Sequence, residues 1–248
     1  MSSLGSWGWQ RRTPPVPALI ERMFAELAPV YDRSNTLLSF GLHRWWRWQA
    51  VRYAGAASGM AVLDCATGTG DFAFAFWRRI RPTGRLVGVD FCKPMLERAQ
   101  TKAQRMGIPA EWVWADVLQL PFAEGTFDIA AIAFGIRNVA DPVACVREMA
   151  RVTRPGGRIV VLELGQPVLP LLRPLYWLYR RYWIPLFGRL FAGKGQAYEY
   201  LHASAWSFPC GEAFVELMRR SGAVEAVRAI PLSGGIAWCY VATVGRRA

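Results

Sequence analysis

The chain has 248 residues, enough for one large α/β domain with appendages and a sizeable core, and its 53% hydrophobic content excludes a disordered chain. Its 30 Lys+Arg against 18 Asp+Glu give a formal charge of +12 and an isoelectric point near 10.1, which points to a polyanionic partner, either nucleic acid or an anionic membrane face. Lysine contributes only Lys93, Lys102 and Lys194. The excess is therefore arginine, and an arginine-biased gene would give the same balance.

Cys65, Cys92, Cys145, Cys210 and Cys239 are odd in number and form no C-x-x-C pair. They read as free thiols, mostly buried, in a reducing cytoplasm. His43 and His202 lie far apart in the chain, so no metal centre is expected. The opening MSSLGSWGWQRRTPP lacks the apolar region of a signal peptide, and no run of about 18 apolar residues reads as a membrane span.

Residues 1–17 read as a flexible arm and 18–248 as one domain. A helical pattern (Ile20, Phe24, Leu27, Ala28) opens an N-terminal helical cap over 18–58, which continues as VYDRSNTLLSFGLHRWWRWQA. A helical core face accounts for Trp45 and Trp48; Tyr31, Asp32 and His43 are polar groups among aromatics and need partners or a job. Ala61–Ala66 predicts a strand, Asp71–Arg81 a helix and Arg85–Asp90 a second strand. Pro94 opens the next helix in the first-turn position that proline favours. Glu111–Asp116 reads as a third strand, Phe127–Phe134 as a central strand buried on both faces, and Pro142–Thr153 as a helix stopped by RPGG. Arg158–Leu164, Glu212–Ser221 and Gly235–Val244 complete the pattern as strand, helix and strand. Such alternation builds an α/β fold with an open, mostly parallel sheet and helices on both faces.

The segment 166–205 interrupts it. QPVLPLLRPLYWLYRRYWIPLFGRLFAGKG is dense in Leu, Tyr, Trp and Phe, punctuated by prolines, and interleaved with Arg173, Arg180, Arg181 and Arg189. Prolines and arginines forbid a spanning helix, while aromatic and arginine side chains together suit a headgroup boundary. A lid over the core, or a contact with a second copy in a homodimer, accounts for the same composition.

Strand, glycine turn, helix, strand and closing acid over Ala61–Asp90 describe a nucleotide-binding βαβ unit. Gly68 and Gly70 let a ligand approach backbone amides and the helix N-terminus. Gly68 to Ala73 matches G-x-G-x-x-A with Asp90 twenty residues past Gly70, so a nicotinamide dehydrogenase is one reading. Asp64 at the first strand's tip argues against it, because it would repel a pyrophosphate and attract a cation. Asp116, followed by Leu120-Pro121-Phe122, aims a further acid at the same cleft. An adenosine carrying a positive centre fits better, and S-adenosylmethionine is such a ligand.

DCATGTGD, GVDFCKPML, WADVLQLPF and RPGGRIVVLEL resemble the successive motifs of class I S-adenosylmethionine-dependent methyltransferases, with Ala66 where the family's turn usually begins with glycine. YDRSNTLLSFGLHRWW and FGIRNV are similar to the ubiquinone/menaquinone biosynthesis methyltransferases, which C-methylate a prenylated quinol. The resemblance implies a seven-stranded Rossmann-like sheet and cofactor contacts at Thr69, Asp90, Asp116 and Val117; Asp64, Gly68, Gly70, Phe91 and Ala133 complete the candidate cofactor site. Asp90 would take the ribose hydroxyls and Asp116 the adenine amino group. At Ala133, where relatives often have serine, only backbone contact remains.

C-methylation of a ring needs a phenolate, hence a base or a cation beside the oxygen. Arg137 is the candidate that lowers the quinol pKa, Asn138 the one that orients the second oxygen; Tyr31, Asp32 and His43 lie in the cap, with His43 a candidate proton acceptor near neutral pH or a structural histidine. The expected substrate is a lipophilic prenyl-quinol, with demethylmenaquinol leading. The expected location is cytoplasmic and peripheral, at the inner face of an anionic membrane. No nucleic-acid partner is expected: no N/D-P-P-[YF] motif follows the fourth strand, and the arginines interleave with aliphatics.

Overall fold

A computed structural model of the chain describes residues 16–183, 200 and 204–245. Nearly all of the predicted arm, and 184–199 and 201–203 of the predicted lid, lie outside the described residues.

The cap is three helices: α1 (Pro17–Leu27), α2 (Tyr31–Leu38) and α3 (Leu42–Ala54). The α/β core follows as β1 (Ala61–Cys65), α4 (Asp71–Ile80), β2 (Arg85–Asp90), α5 (Lys93–Met106) and β3 (Glu111–Trp114). Next come β4 (Phe127–Ala133), α6 (Pro142–Val152) and β5 (Thr153–Leu164). A short α7 (Leu172–Leu178) runs on as a wider turn over Tyr179–Trp183. The chain ends with α8 (Glu212–Arg219), β6 (Val224–Leu232) and β7 (Ala237–Val244).

The seven strands form one open sheet in the order β3-β2-β1-β4-β5-β7-β6. Pairing is parallel from β3 through β5, and β7 is antiparallel to both β5 and β6. The period-two alternation of the strands sorts the core. Leu63, Ala130, Ile132, Val161 and Tyr240 face α6 and α8, whereas Val62, Ala131, Val160, Leu162 and Cys239 face α3 and α4. Chain order reverses beside β1, between its neighbours β2 and β4, the place where open α/β sheets bind ligands.

Local chemistry sets the ends. Asp141 caps α6, accepting from the amides of Val143 and Ala144, with Pro142 in the first turn. β3 stops at Trp114, two residues short of Asp116, which is exposed beyond the strand. β5 begins at Thr153, before the glycine pair. β6 has no counterpart among the strands read from pattern. All five cysteines are free, four of them buried. The tryptophans of α3 reverse the expectation: Trp46 is buried against the sheet, its indole N–H donating to Ser233 Oγ at 2.9 Å, while Trp45 and Trp48 are exposed.

Candidate active site

The turn after β1 puts Ala66 in the left-handed region at φ 47°, where a Cβ is strained, and Gly68 and Gly70 at φ 57° and 86°. A Cβ on Gly70 would lie 2.7 Å from Cζ of Phe74, so that position needs glycine for space as well as angle. Gly135, in the turn after β4, leaves room for Ala66: a Cβ there would sit 2.9 Å from the alanine methyl.

The two acids that close β1 and β2 hold this turn. Asp90 accepts from the Gly68 amide (2.8 Å) through Oδ2 and from the Cys92 amide (2.9 Å) through Oδ1. Each oxygen keeps a lone pair for a ligand hydroxyl. Asp64 Oδ2 accepts from Thr67 Oγ1 (2.6 Å) and the Ala73 amide (3.0 Å), while its Oδ1 is buried with no partner. Burial pushes Asp64 up to about 7 and Asp90 up to about 6, against these hydrogen bonds. A cation entering here would restore both to the charged form.

Three cavities converge on this turn. A slot at the ends of β1, β2 and β4 is lined by Gly68, Asp90, Phe91, Asp116, Val117, Ala133 and Asn138. A small polar pocket beside it is lined by Arg47, Asp64, Gly68, Thr69, Asp71 and Ala133. A largely apolar cavity of about 520 Å³ lies under α2, α3 and α7, walled by Leu38, His43, Trp46, Phe134, Arg137, Leu164, Tyr176 and Tyr179 among others. Tyr31 lines all three. Its hydroxyl is pushed up by burial, with a hydrogen bond to Asn35 opposing, so it is neutral near pH 7.

The other cap candidates sit differently from expectation. Asp32 lines none of these cavities; it accepts from Lys102 Nζ (2.9 Å) and Thr69 Oγ1 (2.5 Å), and Lys102 also bridges to Asp71 (2.5 Å). That cluster ties α2 to the glycine turn and leaves Asp32 a positioning residue. His43 walls the apolar cavity, but its Nδ1 takes a hydrogen bond from Arg47 Nη1. An arginine only donates, so the imidazole proton is assigned to Nε2, which faces Thr36 Oγ1 at 3.3 Å. Burial first, and Arg47 next, push His43 down to about 4. It is therefore neutral near pH 7, with both ring nitrogens engaged, as the structural alternative for it requires.

Arg137 and Asn138 occupy a 3-10 turn after β4. Arg137 Nη1 donates to Glu163 Oε1 and to the Phe134 carbonyl (2.9 Å), and its Nε is buried without a partner. Asn138 borders the slot rather than the apolar cavity, and Tyr200 donates to its Oδ1 at 3.3 Å. Asn138 thus stands on the acid-flanked side of the junction. Arg47 and Glu163 escaped the sequence reading: Glu163 lies within RPGGRIVVLEL but its partner Arg137 stands 26 residues away, and Arg47 is one of several arginines in the cap until its burial is seen.

A model of the ubiE/COQ5 methyltransferase family matches residues 15–244. The ubiquinone/menaquinone biosynthesis C-methyltransferase UbiE of Bdellovibrio bacteriovorus is 47% identical over 93% of this chain and 97% of its own. The demethylmenaquinone methyltransferase of Staphylococcus aureus is 37% identical over 88% and 90%. Among solved structures, an S-adenosylmethionine-dependent methyltransferase of Thermotoga maritima superposes with a TM-score of 0.62 at 19% identity, covering 90% of this chain and 98% of that one, which is a likeness of fold. Glycine turn, strand-end acids and a match over nearly the whole chain agree, and the chain belongs to the ubiE/COQ5 methyltransferase family.

Proposed function

We propose that this methyltransferase uses S-adenosylmethionine to C-methylate a demethylated prenyl-quinol, demethylmenaquinol first among them. The observation that carries this reading is the meeting of the two acid-lined cavities with the large apolar one at Tyr31.

The residues present fit the cofactor. Asp90 offers two fixed oxygens to the ribose hydroxyls, Asp116 stands at the slot's outer wall for the adenine amino group, and the unpartnered Oδ1 of Asp64 suits a positive centre. Phe91 and Val117 give the slot apolar walls for the base. Thr69 donates its hydroxyl proton to Asp32 and lines the small polar pocket, so its oxygen is still able to accept from the cofactor. When bound, S-adenosylmethionine supplies an electrophilic methyl on a sulfonium, and the leaving thioether is neutral.

The protein must orient the ring, exclude water and favour the phenolate. Neither Tyr31 nor His43 is a base near neutral pH, so Arg137 carries the electrostatic part: a guanidinium in an apolar wall favours the quinolate, whose hydroxyl proton is given up to solvent water before the ring is enclosed. Glu163 holds that guanidinium in place. Tyr31 stands at the junction and sets which ring face meets the donor.

The cavity's outer side continues into an exposed apolar rim: Phe40, Leu171, Leu175, Trp177 and Tyr182, with Leu171 88% exposed, flanked by exposed Arg173 and Arg181. Such a rim suits an anionic bilayer from which a prenyl tail enters. No helix among the described residues is long and apolar enough to cross a membrane.

The test is transfer of labelled methyl to a panel of demethylated naphthoquinols, benzoquinols and a lipophilic non-quinol phenol. Ring methylation of the naphthoquinols supports the reading, and absence of product from every quinol removes the quinol assignment.

A further inference from the structure

Lys102, on α5, lines none of the three cavities, yet it stands between the elements that build them. Its ammonium has three N–H bonds and three acceptors around it: Asp71 Oδ1 at 2.5 Å, Asp32 Oδ2 at 2.9 Å and Thr69 Oγ1 at 3.4 Å. Asp71 opens α4, Thr69 lies between Gly68 and Gly70 in the turn, and Asp32 is in the first turn of α2. Thr69 in turn donates to Asp32 Oδ1 at 2.5 Å. These ties matter most to α2, because Ser34 is its one buried residue and no side chain caps its N-terminus. A helix of eight residues with so little apolar anchorage is held by polar contacts at its ends. The Asp32 cluster supplies one; at the other end the Tyr179 hydroxyl donates to the Leu38 carbonyl at 2.7 Å.

We propose that Lys102 is a positioning residue that couples the methyl donor to the acceptor. Seating the donor fixes the glycine turn, and the turn fixes Asp32 through Thr69 and Lys102. α2 then holds Tyr31, Asn35 and Leu38 in the wall of the apolar cavity. The acceptor therefore binds the donor-loaded protein more tightly than the free protein, and the donor gains by the same factor from the acceptor. The identity of the two ligands rests on the function proposed above; the coupling rests on the cluster. Without the ammonium, Asp32 and Asp71 become two like charges that had shared one cation, and their repulsion drives α2 away from α4.

Tryptophan-fluorescence titration of the full chain tests this, with S-adenosylhomocysteine in place of the donor and 2-prenyl-1,4-naphthoquinone in place of the acceptor. In wild type, saturating S-adenosylhomocysteine is expected to tighten the quinone about tenfold, and the quinone to tighten S-adenosylhomocysteine equally. In Lys102→Met that factor is expected to fall to about one. A substitution that merely loosened the fold would weaken the quinone with and without S-adenosylhomocysteine and leave the factor as it was, so an undiminished factor overturns the assignment. Should Lys102→Met fail to fold, Asp32→Asn is read in the same way, since it turns an amide N–H towards the ammonium and breaks the same tie. A wild type that binds the two ligands independently overturns this inference alone. A wild type that binds S-adenosylhomocysteine but not the quinone removes the acceptor reading, and this inference with it.

Discussion

Nη1 of Arg137 lies 2.5 Å from Oε1 of Glu163, and both side chains are almost wholly removed from solvent. Burial raises Glu163 above the usual carboxylate range even with a guanidinium against it. An ion pair so placed is costly to break: removing one partner strands the other, by about 3–5 kcal/mol. Glu163→Ala should therefore lower stability on that scale in a denaturant titration. Arg137→Lys keeps a charge but loses the planar guanidinium, whose Nη1 reaches both Glu163 and the Phe134 carbonyl. Its turnover should fall by about 10²-fold, as for loss of an oriented donor, while S-adenosylmethionine affinity stays within about twofold. Parallel loss of turnover and affinity would contradict the assigned role.

Ala66 at φ 47° and the bare Cα of Gly135 form a matched pair. Ala66→Gly should stabilise the protein by about 1 kcal/mol by relieving a left-handed alanine. Gly135→Ala should destabilise it, because the new methyl meets Ala66 at 2.9 Å and Ile132 at 3.3 Å. In a double-mutant cycle, the Gly135→Ala cost should shrink when Ala66 is already glycine. Strict additivity would show that the two residues do not share the space.

Asp64 and Asp90, lifted by burial to about 7 and about 6, bind protons more tightly folded than unfolded. They make the ligand-free protein less stable as pH rises from about 4 to 7. His43, held near 4, acts with the opposite sign below its ordinary 6.5, so the carboxylate effect is read as the difference between wild type and Asp64→Asn. A cationic ligand needs both acids ionised. S-adenosylmethionine affinity should weaken as pH falls through 7, approaching about tenfold per pH unit for each carboxyl that must ionise. Asp64→Asn should flatten the upper part of that slope. A wild-type Kd independent of pH between about 5.5 and 8 would contradict the electrostatics of the site.

The exposed rim is testable apart from catalysis. Leu171→Asp with Trp177→Ser should reduce co-sedimentation with anionic liposomes severalfold and leave affinity for S-adenosylmethionine unchanged, because neither residue lines the donor cavities. Retained liposome binding would move the contact to another face.

Most of this arrangement was legible in the chain. Glycine angles, strand-end acids and period-two alternation are local, and local signals survive folding. β6 was missed because Val224–Leu232 carries Glu225, Arg228 and Pro231. At a sheet edge such residues are tolerated, for one side of the strand faces solvent and proline's missing donor costs little there. The surroundings of Asp32, His43 and Asn138 were not legible in the sequence for another reason. Each depends on a partner distant in sequence or on one helical turn's orientation: Lys102 is 70 residues from Asp32, and Tyr200 is 62 from Asn138. Arg47 looked like one arginine among many until burial singled it out.

On the proposed function, a methyl group reaches a ring carbon of a quinol held in the apolar cavity. The most direct measurement is a 13C NMR spectrum of the product formed by the purified protein from [methyl-13C]-S-adenosylmethionine and a short-chain demethylmenaquinol. A carbon-bound aromatic methyl resonance is the predicted result. A methoxy resonance, or no incorporation by protein that binds the donor, would contradict it.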